Sequence, residues 1–292
     1  MNQQFNKGLI LTSLGSFWWG FIGVIYFKYL DFIGYAEVVV HRCIWTAASL
    51  ILTTFFFSKW KVFFSIISNK KNLIGLFFSG FLIFINWSVW IYAVATDQII
   101  DASFGYFIMP ILSVFLGYIF FKEKLNKKRI FSISLVMISI IILLFFSIKS
   151  LPWVGLTVGI SWGFYNLIRK KINVDTDIGL LIESFFILPF ALFAFYLIYK
   201  NGYNDFSSSN LSLSFFILLA GPMTVIPLFL YVRGVELSGL GPAGMIFYIT
   251  PTLQFLLGYF YYNEVFSVVK FVSFIFIWIA VIIYLKDLYE TN

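Results

Sequence analysis

Long apolar stretches alternate with short polar ones along the whole chain. Ten apolar stretches can be marked, over residues 8–28, 36–57, 72–95, 102–121, 130–148, 151–169, 178–199, 212–235, 240–262 and 268–286. Each is close to the run of about 20 apolar residues that crosses the hydrocarbon of a bilayer as a helix. Most connections are short, which predicts antiparallel neighbours, and the longest are 58–71 and 200–211. No polar stretch is long enough to fold as a separate soluble domain. The expectation is an all-α integral membrane protein of ten transmembrane helices, with residues 1–292 forming one membrane domain. The first stretch has no small-residue cleavage pattern after it and reads as a retained helix.

Composition agrees with this. The 292 residues are 61% hydrophobic and 11% charged, with a mean hydropathy of +0.95. A soluble domain is about half apolar and about a quarter charged, so lipid must cover part of the apolar surface. A single cysteine, Cys43, and a single histidine, His41, exclude an internal disulfide framework and a protein-built zinc site. No cofactor or metal is expected. The net charge of +7 reads as loop lysines at the membrane surface, with no nucleic acid as partner.

The distribution of those charges carries more than their sum. With ten spans, fifteen of the 20 Lys and Arg residues fall on the side of both termini. Lys28, Lys149, Lys200 and Lys270 fall on the other, and Arg42 lies inside the second span. The positive-inside rule then predicts cytoplasmic termini and a multi-pass protein of the bacterial inner membrane.

The fourth and ninth stretches repeat one another. Pro110, Leu112, Leu116, Gly117, Tyr118 and Glu123 recur, at a constant offset of about half the chain, as Pro251, Leu253, Leu257, Gly258, Tyr259 and Glu264. The first and sixth stretches share Trp19-Gly20-Phe21 and Trp162-Gly163-Phe164, and the second and seventh each carry one glutamate, Glu37 and Glu183. The chain reads as two halves of five spans, about 1–148 and 149–292. Five is odd, so the second half inserts upside down. Inverted repeats place a small-molecule site near mid-membrane, between the halves.

Polar groups inside a bilayer are costly and mark candidate sites. Glu37, His41 and Trp45 are spaced to share one helix face, with Arg42 level with His41. That cluster can exchange partners when a proton or an anionic substrate arrives. Alternatively it is a structural ion pair, with Arg42 snorkelling to the headgroups. Glu183 is either a proton-coupling carboxylate facing the cavity or a solvated group at the interface. Trp19, Trp90, Tyr106, Trp162, Tyr165, Tyr231 and Tyr248 are candidate aromatic walls, suited to aromatic solutes or organic cations. Asn86 and Gln254 orient a ligand or bond between helices. Pro110, Pro222, Pro227 and Pro251 are candidate hinges. The sequence has no Walker-type phosphate loop and no nucleophile elbow, so neither an ATP-driven machine nor an enzyme is expected.

Together these residues resemble the RarD-type branch of the EamA transporters, in the drug/metabolite transporter superfamily. The resemblance rests on Glu37 with His41-Arg42 and Trp45, Asn86-Trp87, Gly105-Tyr106-Phe107-Ile108, and Ser161 to Tyr165 with Arg169-Lys170. Glu183 with Pro189, Gly221 to Leu228 and Tyr248 to Phe255 complete it. It implies a ten-helix bundle that moves small organic solutes by alternating access, coupled to protons or to exchange. Amino acid-like metabolites and amphenicol-like or aromatic compounds are the implied substrates, with the lipid bilayer as the other partner. It also implies that helices one, three, four, six, eight and nine wall the cavity. Met109 and Phe247 stand where the family pattern has an asparagine and a glutamine, so each removes an amide. Two readings of other classes are a non-transporting membrane receptor and a membrane enzyme acting on lipid-linked substrates.

Overall fold

The computed structural model describes residues 3–96, 99–147, 153–261 and 268–291. Among these residues every regular element is a helix. Helix α1 (Gln3–Phe17) passes through a π-helical turn (Trp18–Gly23) into α2 (Val24–Tyr29). Then come α3 (Tyr35–Phe56), the short α4 (Trp60–Ile67), α5 (Lys70–Ala95), α6 (Ile99–Phe121) and α7 (Lys127–Ser147). The second half of the chain holds α8 (Trp153–Ile172), α9 (Thr176–Lys200), α10 (Leu211–Leu218) and α11 (Ala220–Ser238). It ends with α12 (Leu240–Ile246), α13 (Ile249–Phe260) and α14 (Val268–Thr291).

Over the described residues each apolar stretch of the sequence is helical, and the differences lie in how the helices are interrupted. Residues 58–71, expected as a plain connection, contain α4, whose Phe63 and Ile66 are buried. Eight residues rise about 12 Å, too little to cross a membrane. The eighth and ninth stretches are each broken. Proline lacks an N–H, and its ring crowds the carbonyl four residues back. Pro222 and Pro251 therefore stop α10 and α12 one turn before themselves, and each sits in the first turn of the helix that follows. The Phe247 carbonyl, which residue 251 has no N–H to reach, is taken by Thr250 N at 2.9 Å. Pro110 and Pro227 lie inside continuous helices. The four proline hinge candidates are thus of two kinds: Pro222 and Pro251 follow a break, and Pro110 and Pro227 interrupt none.

Seven helical stretches among the described residues are long and apolar enough to cross a membrane. They are α1–α2, α3, α5, α9, α10–α11, Leu240–Leu257 and Phe271–Glu290; Gly105–Phe121 of α6 is a shorter apolar one. The outer surface is apolar, with Phe56, Phe145 and Phe190 each at least 70% exposed. Water would not tolerate such a sheath, and lipid does.

Lipid tails are as apolar as leucine, so helices in a bilayer associate through close packing rather than through water exclusion. Small residues serve that end here. Helix α6 crosses α8 at Gly105 and Gly159, where a Cβ on Gly159 would lie 2.6 Å from the Gly105 carbonyl oxygen. Helix α1 lies along α11, with Gly8 against Ser238 and Gly15 against Pro227. Helix α5 packs on α8 and α9, α3 on α9 and α11, α6 on α12, and α7 on α14.

Candidate functional site

Helix α3 carries Arg42 about 10 Å in from its first residue, at 1.5 Å of rise per residue. The side chain is buried, and its Nε donates to Thr224 Oγ1 on α11 at 3.0 Å. The guanidinium lies 4.9 Å from the Phe27 ring centre, 4.7 Å from that of Trp87 and 6.0 Å from that of Trp90. Those distances are within cation–π range. Among the described residues no carboxylate lies within 4.0 Å of it.

Arg42 lines a cavity between the helices. Its walls are the rings of Trp19, Phe27, Trp87, Trp90, Trp162 and Phe247. Asn86, Tyr106 and Gln254 supply the other polar groups, and among the described residues no carboxylate is on the wall. Asn86 Nδ2 is held by Val158 O at 2.9 Å and by Ser161 Oγ at 3.1 Å. Gln254 has no hydrogen-bond partner among the described residues. The cavity measures about 20 Å³, which is room for about one water.

Local geometry explains how the rings reach it. The π turn inserts an extra residue into α1–α2, and Gly20 within it packs against the Thr250 backbone of α13. Thr250 Oγ1 donates to Ser16 O at 2.9 Å. Trp19 then meets Trp162 edge-on at 5.0 Å. The break between α12 and α13 turns Phe247 inward, 5.4 Å from Tyr106. Residues at positions that match in the sequence repeat meet in pairs: Trp19 with Trp162, Tyr106 with Phe247, and Phe107 with Tyr248. The last pair is 141 residues apart, and Tyr248 OH donates to Phe107 O at 2.9 Å.

A second charged cluster lies toward the end that holds both termini. Arg169 of α8 is 3.5 Å from Glu183 Oε1 of α9 and 3.9 Å from Glu236 Oε1 of α11. Ser79 Oγ donates to Glu183 Oε1 at 2.5 Å, and Tyr165 OH donates to Oε2 at 3.2 Å. Arg233 and Thr176 complete the shell of Glu236. Nearby, Glu123 accepts from Leu240 N at 2.7 Å and from Gly241 N at 2.8 Å. It therefore caps the start of α12. Lys59 bridges from the end of α3 to Asp177 at 2.8 Å and Asp175 at 3.5 Å. Burial works against its charge, but the hydrogen bonds and charge of Asp177, with those of Asp175, hold its ammonium above the ordinary lysine value.

At the opposite end, Glu37 accepts from Asp205 N at 2.9 Å and from Phe206 N at 3.0 Å. His41 lies 3.4 Å from Glu37 and packs on Phe195 and Phe206. Trp45 also meets Phe206.

The sequence candidates thus separate into groups. Arg42, Trp19, Asn86, Trp90, Tyr106, Trp162 and Gln254 share the cavity. Tyr231 backs it, 5.3 Å from Trp162. Glu183 and Tyr165 belong to the Arg169 cluster, and Glu183 is buried rather than solvated. Tyr248 ties α12 to α6. Glu37, His41 and Trp45 share a face, as their spacing predicts, but it meets the 201–210 connection and turns away from Arg42. Arg42 neither pairs with them nor snorkels. Glu264 lies outside the described residues. Phe27, absent from the candidates, is brought in by the π turn, which no residue pattern announces. Thr224 appeared in the sequence only inside the Gly221 to Leu228 motif.

A chain whose described elements are all helical, with an apolar outer surface and an aromatic cavity between its helices, has the build of a multi-pass membrane transporter. The EamA-like transporter family model matches residues 6–145. An uncharacterized transporter of Bacillus subtilis, YojE, is 35% identical over 97% of this chain and 95% of its own. The protein RarD of Escherichia coli is 31% identical over 99% and 97%. A solved crystal structure covers 96% of this chain and 97% of its own with a TM-score of 0.67 at 11% identity, a likeness of fold alone. The chain belongs to the RarD-type branch of the EamA transporters, in the drug/metabolite transporter superfamily.

Proposed function

We propose that the protein is a secondary carrier of the bacterial inner membrane that moves a small organic solute by alternating access. Ten spans in two inverted halves, about 1–148 and 149–292, form one membrane domain with cytoplasmic termini. The observation that carries this reading is the meeting of matching residues around the cavity, Trp19 with Trp162 and Tyr106 with Phe247. On a two-fold axis a residue meets its own counterpart. The helix pairs obey the same exchange: α1 on α11 answers α8 on α5, and α3 on α11 answers α9 on α5.

A cavity with room for about one water fits an occluded state. The Arg169 cluster, the Glu123 cap and the Lys59 bridge seal the cytoplasmic side, and Glu37 with the 201–210 connection seals the other. Rocking one half against the other would open each seal in turn. Aromatic walls suit an aromatic or amino acid-like solute, amphenicol-like compounds included. Glu183, in the cytoplasmic seal, is the candidate for proton coupling.

Uptake into proteoliposomes of amino acids, organic cations and amphenicols, with and without a pH gradient, tests the reading. Saturable uptake is expected, with Glu183→Gln losing its response to the gradient. Folded protein that moves none of these compounds, and no aromatic carboxylate either, would overturn the carrier reading. A response to the gradient that is unchanged in Glu183→Gln would remove Glu183 from coupling.

A further inference from the structure

Two arginines are buried in this protein, and they differ in one respect. Arg169 has Glu183 and Glu236 within 4 Å. Arg42 has a threonine hydroxyl and three ring faces. A guanidinium does not give up its proton in a protein, so the charge of Arg42 persists away from bulk water. Ring quadrupoles and one neutral acceptor offset only part of the cost of burying it. Among the described residues the rest of the cavity wall offers no anion. What it offers is a planar fork of donors, flat aromatic surface, and the amides of Asn86 and Gln254. The fork matches a carboxylate in geometry as well as charge.

We propose that the substrate is a small aromatic or otherwise π-bearing organic anion, whose carboxylate docks on Arg42 while its ring lies among Trp19, Trp87, Trp90 and Trp162. This rests on the carrier reading and narrows it. The departure at Phe247 belongs to the same picture, since it puts a ring in the wall where the family pattern has an amide. An ammonium finds no carboxylate among the described wall residues, and the Arg42 guanidinium already takes a face of the Phe27, Trp87 and Trp90 rings. The amine of an amino acid is therefore dispensable. Organic cations are disfavoured outright. The present volume admits no such molecule, so binding requires the walls to part.

The test is equilibrium binding to the purified full-length protein in detergent, read by tryptophan fluorescence and by thermal stabilisation. Phenylacetate, 3-phenylpropionate and indole-3-acetate are each compared with the corresponding amide and amine. The carboxylates are expected to bind saturably and to compete with one another, and the amides and amines to bind about tenfold more weakly or worse. Arg42→Gln should abolish the preference for carboxylates, and Arg42→Lys should keep part of it. The comparison among wild-type ligands needs no variant, so misfolding of Arg42→Gln does not spare the proposal. Equal binding of amides, a preference for amines, or no binding of any carboxylate overturns it. Uptake of neutral solutes with no carboxylate binding would leave the carrier standing and remove the anion. Carboxylate binding with no uptake of any compound would do the reverse.

Discussion

Arg169 and Glu183 stand 3.5 Å apart where α8 meets α9, both almost wholly buried, with Glu236 of α11 on the far side of the guanidinium at 3.9 Å. One cation between two carboxylates is an unequal arrangement, and removing its members should have unequal effects. Glu183→Gln leaves Arg169 with Glu236 and keeps groups for Ser79 and Tyr165 to bond. Arg169→Met leaves two buried carboxylates facing each other. Breaking a buried pair from one side costs about 3–5 kcal/mol. Arg169→Met should reach that range and Glu183→Gln should fall below it, in denaturant unfolding in detergent micelles. The double variant should be less destabilised than the sum of the two. Strict additivity would mean that the pair is not coupled.

The Glu123 cap is open to a simpler measurement. Its two oxygens take the Leu240 and Gly241 N–H groups, a negative charge at a helix start. Glu123→Ala should lower stability by about 1–2 kcal/mol, in line with other lost N-caps. Hydrogen exchange should rise at the first turn of α12. Gly239→Ala should do more harm. Its φ of +97° is unfavourable for a side chain, and the added Cβ would lie 2.7 Å from Glu123 Oε1.

Backbone contact between α6 and α8 predicts intolerance of a single methyl. In Gly159→Ala the Cβ would press on the Gly105 carbonyl, which is main chain and cannot turn aside as a side chain would. We expect a loss of about 1–3 kcal/mol from overpacking. Gly202→Ala serves as the control for space: nothing lies within 4 Å of its Cβ position, although its φ of +71° adds local strain. Comparable losses in both would indicate that α6 and α8 can slide apart.

The tether between Glu37 and the 201–210 connection makes a pH-dependent prediction. Burial and then the charge of Glu37 raise the Asp205 carboxyl above the usual aspartate value. A carboxyl whose folded value is raised favours the fold while protonated. That contribution is lost as pH rises from the unfolded value through the folded one. Asp205→Asn should therefore raise the unfolding temperature slightly at neutral pH. The gain should vanish once pH falls below the unfolded aspartate value, about 3.9. Glu37→Ala should instead expose residues 201–210 to protease at every pH. A gain from Asp205→Asn that persisted in acid would rule out repulsion from Glu37 as its cause.

Much of the architecture is legible along the chain, because a bilayer demands length and apolarity in every crossing and both can be counted. The helical stretches, the aromatic content and the residues that wall the cavity, Trp19, Asn86, Tyr106 and Trp162 among them, follow from that and from the family pattern. The interruptions do not. The π turn at Trp18–Gly23 leaves no trace in composition, yet it sets which ring of α1–α2 reaches the cavity. The prolines mark the breaks, but the bends fall at Leu219 and Phe247, one turn ahead of Pro222 and Pro251.

Charge partners were the least legible of all. Composition and helix periodicity are local properties, so they are enough to read a helical membrane protein with a few ionisable groups in its apolar spans. Sequence by itself could group Arg42 with Glu37 and His41, because they are neighbours on one helix. Tertiary structure separated them. A helix presents different faces to different partners, so Glu37 holds a loop, Glu183 holds Arg169, and Arg42 faces the cavity without a carboxylate. Which charges are neutralised is decided by what lies across the gap, and that is a property of packing between helices rather than of any one of them.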